Sequence, residues 1–557
     1  MTGKAPVRWT FLVSALFLNA LFIIGAFDPS PHTGGDNAGY VSLAYSLVTT
    51  GSYTELFDPA GPSHTKYPPV FPAILAVLMW LGARTWIAFK GVSVVATLAA
   101  LGFTYLWAEQ RLGSRAAFSV ALLLGVSVSV IYHSHWILSD PVFLAFTMAA
   151  MWALESYESD ESGATGFLFL GVAAVGLAYF TRSAGLPLVV ALLGWLVLKR
   201  GWRPLGVSTL VLGIPMLWWW VRGLGAEISY TDEFWMVNPY DPSQGTIELM
   251  DLGSRILTNL TGYMFNWGPY GIIGSRGPWV AVLGVVLTLG MIYGWLNQIK
   301  DRVRPAELFV PAYAALILLW PEVWAGDRFA LPLYPFVLVY GVTALRDTLA
   351  RAPVPAGRLI TGAVILILVV PPITSWIGNV RRASTCADLV RTSGAFACWG
   401  PRMGAFVEAA DWAGHALPEG SVVMTRKPRH FYTVSGLPSR TFSFDSDPDA
   451  QIEAATSVGG RYVLLDQWDG LASRYVGGAV LDRPSAFCFV RRFGDGSTGG
   501  ADILGIIPTS SPSGVPSPPR AEVRLAVCPS DYQGAAAGSY SARSSSVRIP
   551  LLDGLDS

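Results

Sequence analysis

The chain has 557 residues, 52% of them hydrophobic and only 14% charged, against roughly 25% charged in soluble proteins. With 21 tryptophans and a mean hydropathy of +0.45, it reads as a polytopic α-helical membrane protein. The formal net charge of zero argues against nucleic acid as a partner, and the length exceeds what one domain needs.

A membrane-spanning helix needs roughly 20 predominantly apolar residues. Taken in chain order, the apolar stretches predict about eleven spans, at 9–27, 87–108, 116–133, 140–157, 164–181, 184–198, 204–222, 278–299, 306–320, 329–347 and 358–377. The first follows Lys4 and Arg8 as a signal peptide would. No A-x-A-like cleavage site comes after it, so it reads as a retained anchor. No internal repeat of the transporter kind is visible.

Basic clusters set the orientation. Arg111 and Arg115, then Lys199, Arg200 and Arg203, then Lys300, Arg302 and Arg304, then Arg346, Arg351 and Arg358 all fall between alternate segments. The positive-inside rule puts them in the cytoplasm with Lys4 and Arg8. Glu155, Glu158, Asp160 and Glu161 fall on the same side, against the trend, but acidic residues weigh little in this rule.

The outer side then receives 28–86, 133–140, the neighbourhood of 182, 223–277, 321–328 and everything after 377. Within 28–86, helical apolar periodicity at 38–48 and 70–81 predicts two helices lying in the outer interface. Reading 69–83 as a span would reverse the later topology and expel the basic loops. Trp218, Trp219 and Trp220 fit an interfacial aromatic belt.

After 379 the pattern shifts to short β-branched runs between helical stretches. Helices are expected at 406–416 and 449–457, and strands at 421–425, 462–466, 486–492 and 521–527. The chain thus divides into a membrane domain over 1–378, a small soluble α/β domain over 379–531 and a mobile tail over 532–557. Residues 508–520 form a Pro/Ser loop. All four cysteines, Cys386, Cys398, Cys488 and Cys528, lie in the soluble part, which fits disulfides in an oxidising compartment. Nearness suggests Cys386 with Cys398 and Cys488 with Cys528, although four cysteines allow three pairings and buried free thiols are the alternative. No nucleophile elbow, P-loop or metal-ligand pattern stands out here.

The candidate chemistry lies on the outer side, where ionisable groups at membrane depth mark a site by default. Asp36 in HTGGDNAGY sits among glycines that permit close backbone approach; it suits a base or a metal ligand, or else a plain helix N-cap. Pro68-Pro69 fixes an extended turn that presents Lys66 and Tyr67 to one cavity, with a snorkelling lysine as the alternative. Asp140 opens a span with His133 and His135 nearby, and helix capping would also account for it. Arg182 stands between two spans with little room for a loop. Arg328 sits at the mouth of a span beside Asp327 and near Glu322. It is suited to a forked grip on phosphate oxygens, or to a sealing pair with Asp327.

Gly35-Asp36-Asn37, Lys66-Tyr67-Pro68-Pro69, Ser139-Asp140-Pro141, Arg182-Ser183-Ala184-Gly185-Leu186 and Arg328-Phe329 followed by Pro332 and Pro335 run in order over residues 1–380. In this the chain resembles the GT-C glycosyltransferases, in particular the bacterial branch related to protein O-mannosyltransferases and the lipid A aminoarabinose transferase. The C-terminal part is similar to the outer domains of many members.

The resemblance implies transfer of a sugar, usually with inversion, from a polyprenyl-phosphate donor to a protein, lipid or polysaccharide acceptor at the outer face of the cytoplasmic membrane. It implies Asp36 as base or acceptor-orienting group. Lys66, Arg182 and Arg328 become candidates for holding the leaving phosphate. Many relatives carry a second carboxylate where this chain has Asn37, which counts against a two-carboxylate metal site in the loop. Asp140 or His135 are the candidates to complete a divalent metal site. Loop 223–277, with Glu227, Asp232 and Glu233, is the expected place for acceptor choice. An outer-face glycan polymerase or lipid-linked glycan handling protein is the second reading. A transporter is the third, and one-sided charges speak against it.

Overall fold

The apolar segments of the sequence lie on helices. The computed structural model describes residues 5–159, 165–225, 230–351, 353–495, 499–507 and 525–532. Lys4, Asp160, Glu161, Glu227, the 508–520 loop, most of the 521–527 strand and nearly all of the tail lie outside these. The helices are α1 (Ala5–Gly25), α2 (Gly35–Thr50), α3 (Val70–Trp80), α4 (Trp86–Leu112), α5 (Ser114–Val126), α6 (Val128–Ser134), α7 (Ser139–Ser159), α8 (Thr165–Thr181), α9 (Leu186–Leu198), α10 (Trp202–Arg222) and α11 (Tyr230–Trp235). There follow α12 (Leu252–Gly262), α13 (Gly268–Ile273), α14 (Pro278–Asp301), α15 (Pro305–Leu319), α16 (Asp327–Ala330), α17 (Tyr334–Leu349), α18 (Val354–Ser393), α19 (Pro401–Ala416), α20 (Pro428–Ser435), α21 (Pro448–Thr456) and α22 (Leu471–Asp482).

Among the described residues six helices are long and apolar enough to cross a membrane, or seven if α5 and α6 form one broken span. The expected span at 116–133 is bent by 62° at Ser127. The Ser127 hydroxyl donates to the Leu124 carbonyl at 2.5 Å and its backbone is extended, so a side chain competes with the helical ladder there.

The chain divides into two compact units. The first comprises Met1–Phe27, Thr65–Phe71 and Lys90–Ala383. Here α7 packs along α8, α14 along α17, α9 along α15 and α1 along α5. Trp107, Phe143, Trp195, Tyr313 and Phe336 fill the core. Gly294 lets α14 approach α17 closely: a Cβ there would lie 2.1 Å from the Tyr340 carbonyl oxygen.

α7 carries charge at both ends. Asp140 lies in its first turn. Glu155 follows fifteen residues later, about 22 Å along the axis at 1.5 Å per residue. At the Glu155 end, Arg111 is only 1% exposed, a correction to its reading as a loop residue. Its guanidinium meets Glu155 at 2.5 and 2.9 Å and Glu307 at 2.6 Å. Trp107 Nε1 donates to Glu155 at 2.7 Å, and the Tyr340 hydroxyl to Glu307 at 2.8 Å. Glu158 pairs with Lys199 and lies 3.5 Å from Arg302. Glu155 and Glu158, which ran against the charge rule, are therefore counter-ions of Arg111 and of the basic residues Lys199 and Arg302. Buried charges need such partners.

The second unit comprises Asp28–His64, Pro72–Phe89 and Ser384–Ser557. Its sheet has strands β1 (Val422–Met424), β2 (Ser439–Arg440), β3 (Gly460–Asp466), β4 (Phe487–Gly494) and β5 (Gly500–Ile506), in the order β2-β1-β3-β5-β4. β1 pairs parallel to β2 and β3; β5 runs antiparallel to β3 and β4. The sequence indicated β1, β3, β4, α19 and α21, but not β2, β5, α20 or α22. Of the 521–527 strand, the described part makes a single bridge, Ala526 to Cys488. Cys386 is bonded to Cys398 and Cys488 to Cys528. The segment 28–64 belongs to this unit: Ser439 N–H donates to the Phe57 carbonyl at 2.7 Å, and α2 packs on α20.

Candidate active site

Three of the candidate residues meet at the first turn of α7. Because α7 and α8 run antiparallel, the end of α8 returns to the start of α7. Arg182 follows α8 in an extended conformation, and a short turn, Ser183–Gly185, leads into α9. The turn is tight: a Cβ on Gly185 would lie 2.8 Å from the Tyr179 Cα. Arg182 Nη1 reaches Asp140 Oδ1 at 2.6 Å. From α16, Arg328 places Nε and Nη2 at 3.0 and 2.9 Å from Asp140 Oδ2. Each carboxylate oxygen thus takes one guanidinium. Side-chain exposures of 5% for Asp140, 15% for Arg182 and 23% for Arg328 leave the cations reachable and the anion covered.

The trio carries one net positive charge, a setting that favours an added anion. Arg328 is paired with Asp140, so the sealing role expected with its neighbour Asp327 goes to a residue 188 positions away. Asp327 accepts at its backbone carbonyl from the Tyr334 hydroxyl at 3.3 Å. Arg182 also lies over the Phe329 ring at 5.8 Å.

The two histidines separate. Buried His133 keeps Nδ1 on the Ser129 carbonyl at 2.8 Å, on the approach to α7. His135 turns away: Nε2 meets the Ile23 carbonyl at 2.8 Å, and its ring packs edge-on against Phe27. His135 is therefore not a partner of Asp140.

Lys66 reaches Glu233 at 2.5 Å and lies over the rings of Tyr230 and Trp324, at 5.3 and 5.6 Å. It is paired with the 223–277 loop, not snorkelling toward an interface. Tyr67 is half-buried.

Asp36 belongs to the other unit. The N-cap of α2 is Gly34, not Asp36, which occupies the first helical turn where a carboxylate suits the helix dipole. The neighbouring Asn37 is buried and donates to the Gly34 carbonyl at 3.2 Å. A Cβ on Gly39 would meet the Arg429 side chain at 3.1 Å, so this glycine does permit the close approach expected of it. Two side chains of the C-terminal part sense the Asp36 charge. Burial, and then the charge of Lys427, push the His430 imidazole down to about 3, with Asp36 opposing. Burial likewise lowers the Lys427 ammonium, again against Asp36. Asp36 thus sits beside a neutral imidazole and a lysine eased toward losing its proton.

Residues 66–219 match the family model described as dolichyl-phosphate-mannose-protein mannosyltransferase. That stretch contains Lys66, Asp140 and Arg182. The solved archaeal oligosaccharyltransferase AglB from Archaeoglobus fulgidus, in complex with an inhibitory peptide and a dolichol-phosphate, is similar in fold. Its TM-score is 0.55 at 13% identity, over 88% of this chain and 74% of that one. ArnT from Cupriavidus metallidurans in the apo state gives a TM-score of 0.50 at 15% identity, over 90% of this chain and 98% of that one. The chain shares the fold of these two membrane glycosyltransferases. No curated protein matches it.

A divalent metal does not suit the donor sets of this chain. A cation at Asp140 would face two guanidiniums that already occupy both oxygens. Asp36 offers one carboxylate beside Asn37. Among the described residues the one metal-sized group of ligand atoms is Asp28, Cys386 and Cys398, and its sulfurs are tied in a disulfide. Sequence reasoning named Asp140, Arg182, Arg328 and Lys66 but could not pair them. Nothing local ties Lys66 to Glu233, 167 residues on. The acidic character of the loop was the only signal.

Proposed function

We propose that this protein takes a sugar from a polyprenyl-phosphate donor and transfers it, with inversion, to an acceptor at the outer face of the cytoplasmic membrane. The observation that carries the reading is the convergence of Arg182 and Arg328 on the one carboxylate of Asp140, with the cations more exposed than the anion. The phosphodiester of the incoming donor is drawn to both guanidiniums while Asp140 holds them in register.

In the transfer step the acceptor oxygen attacks C1 of the sugar and gives its proton to Asp36. The C1–O bond to phosphate breaks, and its electron pair leaves with the polyprenyl phosphate. Charge gathers on the phosphate as that bond lengthens, so fixed cations lower the barrier. The role of Asp36 rests on its motif and on its polar surroundings. The orientation is supported by the basic residues gathered at the Glu155 end of α7, opposite Asp140, and by the two disulfides in the C-terminal residues.

Mass spectrometry of lipid that co-purifies with the full-length protein tests the reading. Polyprenyl phosphate or its monosaccharide ester is expected. A bound glycan chain on lipid pyrophosphate would favour the polymerase or glycan-handling reading instead.

A further inference from the structure

A buried carboxylate oxygen of Glu233, in the first unit, has no hydrogen-bond partner among the described residues and no part in the transfer step described above. Glu233 lies on α11 with its side chain 9% exposed. Its Oε1 holds Lys66 at 2.5 Å, while Oε2 is buried and makes no hydrogen bond to the described protein. A buried acceptor left unsatisfied is costly, so this oxygen calls for a donor from outside the described protein. α11 is also held firmly. Arg255, itself buried, donates to the Phe234 and Met236 carbonyls at 2.6 and 2.8 Å.

Around this carboxylate stands a wall of rings. Tyr230 and Trp320 lie 5.9 Å apart, and Trp320 stacks on Trp324 at 6.0 Å. Lys66 rests against Tyr230 and Trp324. A sugar ring presents C–H faces to such aromatic surface and hydroxyl donors at its edge to a carboxylate. An apolar wall with a few aimed polar groups is the usual build of a small-molecule site. Position follows from the chain itself. Trp324 precedes Arg328 by four residues, so their Cα atoms are at most about 14 Å apart. A sugar bonded directly to a phosphate on Arg328 falls within that reach.

We infer that Glu233, with Tyr230, Trp320 and Trp324, forms the subsite for the sugar of the lipid-phosphate donor, and that Glu233 is a specificity-determining residue that accepts a hydrogen bond from a sugar hydroxyl. The inference rests on the polyprenyl-phosphate reading above and assigns the 223–277 loop to donor recognition, where sequence analysis had expected acceptor choice.

The test uses full-length protein in lipid nanodiscs and three probes: polyprenyl phosphate, a polyprenyl-phosphate hexose and a polyprenyl-phosphate pentose. Wild type is expected to bind at least one sugar-bearing lipid about tenfold more tightly than the bare phosphate, the scale of one charged hydrogen bond. Glu233→Gln is expected to erase that preference while bare phosphate binds as well or better, since Lys66 is then released. Trp324→Leu, which leaves the Lys66–Glu233 pair intact, is expected to lower the same ratio. If Glu233→Gln changes the three affinities in parallel, Glu233 only restrains Lys66 and the inference fails. It fails equally if wild type shows no preference for any sugar-bearing lipid. If wild type binds none of the three, the polyprenyl-phosphate reading falls with it, an outcome distinct from the loss of preference alone.

Discussion

Replacing Asp140 by asparagine probes how the two arginines are held. The wild-type carboxylate makes one short contact with Arg182 and two with Arg328, at 2.6, 3.0 and 2.9 Å. A hydrogen bond to a charged group contributes about 1.5–3 kcal/mol net. Asparagine keeps one acceptor oxygen for one guanidinium and turns an amide N–H₂ toward the other, so one arginine loses its anchor. A loss of about 3 kcal/mol in positioning corresponds to roughly a hundredfold in rate, at 1.36 kcal/mol per decade. Donor affinity should not fall with it, because removing the internal anion leaves both cations for the phosphate. Single-turnover transfer from a labelled polyprenyl-phosphate sugar, measured beside equilibrium donor binding, reads both quantities. A parallel loss of affinity and rate would refute the view that Asp140 only positions the arginines. Unchanged turnover would show that their registration is irrelevant.

Three further outcomes follow from the same geometry. Asp36→Asn keeps side-chain size and should leave thermal unfolding nearly unchanged, while transfer falls by about a hundredfold or more, the scale of losing a general base; normal turnover would remove Asp36 from the chemistry. Arg111→Leu strands Glu155 and Glu307, which are 4% and 0% exposed, and should cost about 3–5 kcal/mol, read as a lower unfolding midpoint with donor binding intact in the molecules that stay folded. Burial raises the Asp466 carboxyl from 3.8 to about 6. Its protonated form therefore contributes stability that is full below about pH 4 and lost as pH rises through about 6, worth about 3 kcal/mol. Hydrogen exchange of β3 in the full-length protein should report that loss, and Asp466→Asn should flatten it; an equal pH slope in the variant would assign the effect elsewhere.

What was legible in the sequence follows from range. Helix positions came through because twenty-residue apolar runs are local signals. α2 and α3 were visible in the periodicity of their own residues. The strand β5 was not, since Gly500–Ile506 opens on glycine and is interrupted by Asp502 and Gly505. The candidate residues stood out as a set, because charge at a membrane boundary is conspicuous. Their pairing was not, because Arg328 meets Asp140 across 188 positions and Lys66 meets Glu233 across 167. The assumption of one-sided charge also broke down. Arg111 looked like a loop residue, yet it joins a second buried network at the other end of α7, which only the packing of α4, α7, α15 and α17 creates. The membership of 28–64 in the unit containing the C-terminal residues has no local signature at all.

The most direct test of the phosphate-gripping role is polyprenyl-phosphate binding by Arg328→Ala and Arg328→Lys, with thermal unfolding measured on the same samples. Lysine keeps the charge but loses the two-pronged fork, so binding should weaken for lysine and weaken further for alanine, with turnover following. The unfolding midpoint should move far less than the affinity. A large drop in midpoint with unchanged lipid binding would mean that Arg328 serves only to pair Asp140, and the proposed phosphate site would have to be abandoned.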